Sequence, residues 1–171
     1  MTIRPATEAD NEQIFHLYRL TARLSGGIAR TEAEITPAYV EANTDKAIAE
    51  NGLILVAEAA DEIIAEIHGH QYGIRIFRHI LTNVTVVVHP EFQSRGVGKQ
   101  LILAFLEHIR RHRPDIRRVE LESRVTNQKS VALFKSVGFV QEGTMKNKTR
   151  NADGRFEDSL LFAWENPDFR P

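Results

Sequence analysis

The chain has no cysteine. That excludes a disulfide framework, a thiol nucleophile, CxxC redox chemistry and thiolate-bound zinc. No run approaches the roughly 18 apolar residues of a membrane span. The opening Met1-Thr2-Ile3-Arg4-Pro5 lacks the long apolar core of a secretion signal. The expectation is a soluble cytoplasmic protein with no membrane partner. Net charge is also nearly absent: 22 Lys/Arg stand against 23 Asp/Glu, a balance that argues against broad nucleic-acid binding. The six prolines and ten glycines are scattered, so no linker divides the 171 residues. At roughly 100–200 residues per domain, residues 1–171 form one domain.

What charge there is lies unevenly. Residues 1–90 carry 7 basic and 12 acidic side chains, and residues 91–171 carry 15 and 11. A basic second half favours a discrete small polyanion, although chance asymmetry explains it equally well. Along the chain, Ile3-Arg4-Pro5 reads as a short strand. Thr7 caps a helix, with Asp10 three residues on. Ile14, Leu17, Tyr18 and Thr21 line one face of that helix, which fails near Ser25-Gly26-Gly27. Thr36-Pro37 opens a second helix that stops before Asn51-Gly52. The period then changes. Leu53–Ala57, Ile63–Tyr72 and Ile80–Val88 read as strands, the last one buried on both faces. A helix follows from about Gly96 to Arg113, with Val97, Leu101, Phe105 and Ile109 stepping by four. Val119–Ser123 is a strand, and Asn127 opens a helix that Gly138 closes. Phe139–Glu142 and Ser159–Trp164 are the last strands, with a turn at Asn151–Gly154. The order β-α-α-β-β-β-α-β-α-β-β predicts an α/β fold built on a mixed, mostly antiparallel sheet flanked by helices.

The most informative stretch is Val86-Val87-Val88-His89-Pro90-Glu91-Phe92-Gln93-Ser94-Arg95-Gly96-Val97-Gly98-Lys99. An apolar strand runs into a glycine-containing turn, and an amphipathic helix begins at once. Free amides at a helix N-terminus make an anion site. Gly96 and Gly98 would let backbone approach a phosphate, and Arg95 and Lys99 add positive charge. The stretch is neither a P-loop nor a dinucleotide fingerprint, because the GK[ST] ending and the third glycine are missing. The plain alternative is a tight strand-to-helix turn.

At these residues the chain resembles a family. Gln93-x-x-Gly96-x-Gly98, preceded by Val88-His89-Pro90, is similar to the Q/R-x-x-G-x-G/A signature of the GNAT superfamily of acetyl-CoA-dependent N-acetyltransferases. Asn127-Gln128-Lys129-Ser130-Val131-Ala132-Leu133-Phe134-Lys135-Ser136-Val137-Gly138-Phe139 resembles that family's second motif, in the expected order. The resemblance covers residues 80–165. It is similar to members acting on amino acids, polyamines or protein N-termini. It implies that backbone groups of Val86, Val87 and Val88 pair with the pantetheine arm of acetyl-CoA like an added strand. It implies that the amides of Ser94, Arg95, Gly96, Val97, Gly98 and Lys99, with Gln93 ahead of them, hold the pyrophosphate. Asn127 would contact the coenzyme near the thioester or the pantetheine, and Phe134 would also line the coenzyme site. The implied acceptor is a small amine, an amino acid or a peptide N-terminus, attacked directly without a covalent enzyme intermediate. Many members form dimers, and a homodimer is a further expectation.

Acetyl transfer to an amine needs a base for the ammonium, a donor for the developing oxyanion and an exit for the sulfur. The resemblance offers a strand amide near Val88 as donor. Many members carry an acid on the central strand, at the position of Asn83 here, and an amide cannot act as base. Glu122, five residues before Asn127, is the stronger candidate. Its alternative role is an exposed carboxylate paired with Arg124. His79 and water are the other candidate bases. The family's usual acid is a tyrosine at the position of Phe134, which has no proton to give; only Tyr18, Tyr39 and Tyr72 exist elsewhere. The substitution keeps open a non-catalytic acyl-CoA-binding regulatory module. Other patterns are weaker. His68 and His70 share a strand face but lack an acidic cluster, so no metal is expected. Arg110-Arg111-His112-Arg113 reads as a solvated helix end rather than a nucleic-acid patch. Leu24–Ile35, the second helix and Lys146–Glu157 would shape the acceptor site, with Glu32 and Glu34 able to attract a cation.

Overall fold

A computed structural model describes residues 1–24, 27–151 and 153–170. The elements are β1 (Thr2–Pro5), α1 (Asn11–Ala22), α2 (Pro37–Ala49), β2 (Leu53–Ala59), β3 (Glu62–His70), β4 (Ile80–Val88), α3 (Val97–His112), β5 (Arg118–Arg124), α4 (Gln128–Ser136), β6 (Val140–Arg150) and β7 (Phe156–Glu165). They form one seven-stranded sheet in the order β1-β2-β3-β4-β5-β7-β6. The expected element order and mixed sheet are both present. Only the central β4–β5 pair is parallel; every other neighbour is antiparallel. A parallel pair needs a long crossover, and α3 supplies it.

The apolar stripe read along residues 97–109 faces the sheet. Leu101, Phe105 and Ile109 are fully buried against β2, β3, β4, β5 and β7. The other face of the β2–β3–β4 half is covered by α1 and α2, where Ile14, Leu17, Tyr18 and Val40 meet Val56, Ile63 and Val87. The start of α1 is fixed from both sides. Thr7 donates its backbone N–H and its hydroxyl to Asp10, and Arg4 on β1 grips the same carboxylate through two contacts of 2.8 Å. The end of α1 falls at Ala22, and the Ser25-Gly26 part of the expected break lies outside the described residues.

The last hairpin is longer than the sequence suggests. β6 continues to Arg150 rather than stopping at Glu142, and β7 begins at Phe156 rather than Ser159. The pairing shifts register between Gln141 and Gly143 and again between Met145 and Thr149. Each shift breaks the alternation on which the sequence reading depends. β6 is also the outermost strand and is rich in charged and polar residues, which suits an exposed edge.

Candidate active site

β4 and β5 are hydrogen-bonded neighbours at only two positions, Ile80 with Arg118 and Leu81 with Val119. Beyond them the strands diverge. β4 continues against β3 as far as Val88 with Ala65, and β5 continues against β7 as far as Arg124 with Ser159. The facing edges of Thr82–Val88 and Glu120–Arg124 therefore open a wedge in the middle of the sheet. His89 donates its N–H to Ile64 of β3 at 2.8 Å. Alternation along an antiparallel ladder then turns the amides of Thr85 and Val87 to β3 and those of Val86 and Val88 into the wedge. The Val87 side chain is buried toward α1 and α2, whereas Val86 and Val88 are half-buried on the α3 side.

The wide end of the wedge is where the two sequence motifs meet. Gln93 donates its side-chain amide to the Val88 carbonyl at 3.0 Å and so pins the turn that leaves β4. Ser94 and Gly96 both have positive φ, 60° and 83°. Gly96 is the N-cap of α3, and its left-handed backbone is the conformation that favours glycine. The first intrahelical bond runs from Gln100 to the Gly96 carbonyl at 3.0 Å. The amides of Val97, Gly98 and Lys99 thus have no partner within the helix. A Cβ on Gly98 would lie 3.3 Å from both Val88 and Leu133. Glycine is what lets the start of α3 close on the end of β4 and on α4 together. Arg95 stacks over Phe92 and Lys99 is exposed, so both cations stay at the rim. Asn127 is the N-cap of α4 and accepts the Ser130 N–H.

On β5, alternation buries Val119, Leu121 and Ser123 and turns Glu120, Glu122 and Arg124 to the opposite face. The Glu122 side chain is exposed and, among the described residues, makes no hydrogen bond or ion pair, with Arg124 or any other group. Phe134 is buried against Phe139 and Phe162, at 6.0 Å from each ring centroid. His79 precedes β4 at the closed end of the wedge, where its carbonyl accepts from Arg117 and Arg118. Asn83 sits at a bulge in β4 with φ 52°, and its side chain reaches His70 at 3.3 Å.

Two polar clusters were not foreseen from the sequence. Tyr72 accepts from the Thr82 hydroxyl and donates to Glu120, both at 3.2 Å. Thr82 and Glu120 are the first residues past the point where the strands part, so the phenol bridges the narrow end of the wedge. Arg118 holds Glu120 from the other side at 2.6 Å and also binds Glu142. The second cluster lies between β3 and α1. Glu66, fully buried, accepts the Tyr18 hydroxyl at 2.6 Å and lies 2.9 Å from Nδ1 of His68. Burial and the neighbouring Glu66 push the Tyr18 phenol well above its ordinary pKa. The imidazoles of His68 and His70 do share a face, as alternation required. His70 lies 3.5 Å from Glu50, and burial lowers its pKa. A lone acid in the apolar run Ile63–Ile67 was the available signal for the buried cluster.

The remaining charges are largely spoken for. Arg19 and Arg23 both donate to Glu32 and hold its pKa down to about 2. Glu34 caps Thr31. Of the basic run, Arg110 and Arg111 pair with Glu107, and Arg113 pairs with Asp115.

Residues 8–139 match the sequence model of the acetyltransferase (GNAT) family. The chain belongs to the GNAT family. The [ribosomal protein bS18]-alanine N-acetyltransferase of Escherichia coli (strain K12) is 28% identical to it over 82 residues, 48% of this chain and 53% of that protein. The Salmonella typhimurium protein of the same name is 29% identical over 82 residues with the same coverage. The chain thus spans about half the length of the curated relatives it matches. A ribosomal-protein-alanine N-acetyltransferase from Brucella melitensis superposes with TM-score 0.85 at 23% identity, covering 96% of this chain and 99% of that one. A GNAT phosphinothricin acetyltransferase from Sinorhizobium meliloti, solved with acetyl-CoA, superposes with TM-score 0.85 at 20% identity, covering 98% and 89%. At these identities the likeness to the solved structures is one of fold. No helix among the described residues is long and apolar enough to cross a membrane.

Proposed function

We propose that the chain is an N-acetyltransferase that moves an acetyl group from acetyl-CoA directly to a primary amine, on a small molecule, an amino acid or a protein N-terminus. The observation that carries this reading is the wedge. It offers an unpaired strand edge at Val86 and Val88 that leads to the free amides of Val97, Gly98 and Lys99. An extended amide-bearing arm ending in a diphosphate fits that path, the arm as a strand and the diphosphate on the helix N-terminus.

Acetyl-CoA supplies an activated acetyl thioester. The chain supplies the rest. The wedge-facing amide of Val88 donates to the carbonyl oxygen as negative charge develops there. Glu122, exposed beside the opening and unpaired, takes the proton from the attacking ammonium, directly or through one water. The nitrogen lone pair forms the new C–N bond as the C–S bond breaks, and the nitrogen gives up its second surplus proton to water. Phe134 gives no proton, so sulfur leaves as thiolate, which a thiol pKa of about 8.5 makes tolerable. Glu32 and Glu34 do not serve the acceptor in this scheme, because Arg19, Arg23 and Thr31 already occupy them.

The test follows release of free thiol from acetyl-CoA with a panel of amines and peptides. Turnover with at least one amine is expected, and Glu122→Gln should lower kcat while leaving acetyl-CoA affinity intact. Tight acetyl-CoA binding without turnover on any amine would support a regulatory acyl-CoA module instead. Unchanged kcat in Glu122→Gln would remove Glu122 as the base.

A further inference from the structure

A second basin lies at the opposite end of β4 from the α3 N-terminus. It is an open depression of about 570 Å³ lined by Arg75, Arg78, His79, Asp115, Phe169 and Arg170, among others. The nine residues of β4 separate it from the Gly96 turn, roughly 30 Å at about 3.3 Å per residue. It is therefore not part of the wedge's own diphosphate path.

The arginines set it apart. The side chains of Arg4, Arg19, Arg23, Arg110, Arg111, Arg113, Arg118 and Arg155 each pair with a carboxylate. Those of Arg30, Arg95, Arg117 and Arg150 stack on aromatic rings. Among the described residues, four arginine side chains are left with neither partner: Arg75, Arg78, Arg124 and Arg170. Three of these four line this one basin. Two neighbouring aspartates are already engaged by other arginines. Asp115 is held by Arg113 through two contacts of 2.9 Å, and Asp168 is held by Arg110 at 2.7 Å. Phe169, with Arg117 stacked on it, adds an apolar wall. Guanidinium groups are planar forks that match the oxygens of phosphate and carboxylate. A volume of this size is in the range of a small-molecule site.

We propose that this basin binds a small multivalent anion, a diphosphate-bearing or polycarboxylate metabolite, on Arg75, Arg78 and Arg170. The site also touches the wedge through the chain itself. Arg75 and Arg78 lie on the β3–β4 connection that carries Tyr72, whose hydroxyl bridges Thr82 and Glu120. An anion that fixes the connection therefore fixes the narrow end of the wedge. The proposal does not depend on the acetyltransferase reading.

The experiment is isothermal titration of the full chain with inorganic pyrophosphate, with citrate as a second probe and without acetyl-CoA; Gly96→Glu, which blocks the wedge's own turn, should bind as the wild type does. Binding by the wild type is expected. The Arg75→Ala/Arg78→Ala variant should bind at least tenfold more weakly, and Arg150→Ala should bind as the wild type does. All three arginines are exposed, so the folded state should persist, as circular dichroism will show. Arg170→Ala, on a separate segment, should weaken binding independently. A preference for pyrophosphate over citrate, or the reverse, assigns the ligand's anionic group. No binding to the wild type, or equal affinity in the double variant and the wild type, overturns the proposal.

Discussion

Asp10→Asn tests the closure of the N-terminal segment quantitatively. The Asp10 carboxylate is only 8% exposed, and the Arg4 guanidinium, at 2.8 Å, is the main reason its pKa falls from 3.8 to about 2. The Thr7 N–H at 2.7 Å adds to the same effect. At 1.36 kcal/mol per pH unit that drop corresponds to about 2.4 kcal/mol of folding stability. Arg4 is 36% exposed, and solvent weakens its share. The asparagine keeps part of the contact with Thr7. The net loss near neutral pH should therefore be about 1.5–2 kcal/mol, or a Tm lower by roughly 3–8 °C for a chain of this size. The sign follows from a depressed carboxylate. Its contribution is fully present above the unfolded pKa of 3.8 and is lost as pH falls through about 2. Urea denaturation of wild type and variant at pH 6.5, 4, 3 and 2.5 should show a gap that holds to pH 4 and then narrows. A gap that stays constant down to pH 2.5, or one below about 0.5 kcal/mol at pH 6.5, would refute the reasoning.

Other outcomes are equally specific. Gly96→Glu places an anion and a side chain at φ 83° on the α3 N-cap, and acetyl-CoA binding measured by titration should be abolished while the helix content persists. Retained affinity would sink the assignment of that turn to phosphate. Tyr18→Phe removes the 2.6 Å donor to the buried Glu66 and should cost about 1.5–3 kcal/mol in urea denaturation; no loss would mean that the cluster is not held by that bond. Phe134→Tyr adds a hydroxyl within a buried aromatic cluster, so stability should drop by about 1–3 kcal/mol with no gain in turnover. A marked rise in kcat would show that this side chain reaches the sulfur after all.

Local signals carried most of the fold. The four-residue steps from Val97 to Ile109 and the turn signals at Ala60-Asp61 and Asn151–Gly154 depend only on near neighbours, and the corresponding helix and hairpins are present. β6 was legible only at its start, because its register shifts erase the period of two. The Gly96–Gly98 turn and Asn127 could be read because glycine and N-cap chemistry are local. The parting of β4 and β5 could not, since it is a property of which strand each one pairs with. Tyr72, Thr82 and Glu120 are 48 residues apart at their extremes and come together only through that topology. Glu66 was hidden for a related reason, its partner Tyr18 lying 48 residues earlier on α1.

The scarcity of backbone bonds between β4 and β5 has a mechanical consequence. Two ladder pairs, the His79 carbonyl and the Tyr72 bridge join the β1–β4 half of the sheet to the β5–β7 half, and the common apolar layer under α3 holds the rest. The sheet is thus a book with a short spine. Its covers can swing by sliding side chains over α3 without breaking a ladder, so the opening should be soft while each cover stays rigid. Amide exchange should be slow within each half and fastest along the facing edges of Thr82–Val88 and Glu120–Arg124. Whatever molecule bonds to both edges would lengthen the spine and stiffen the whole protein.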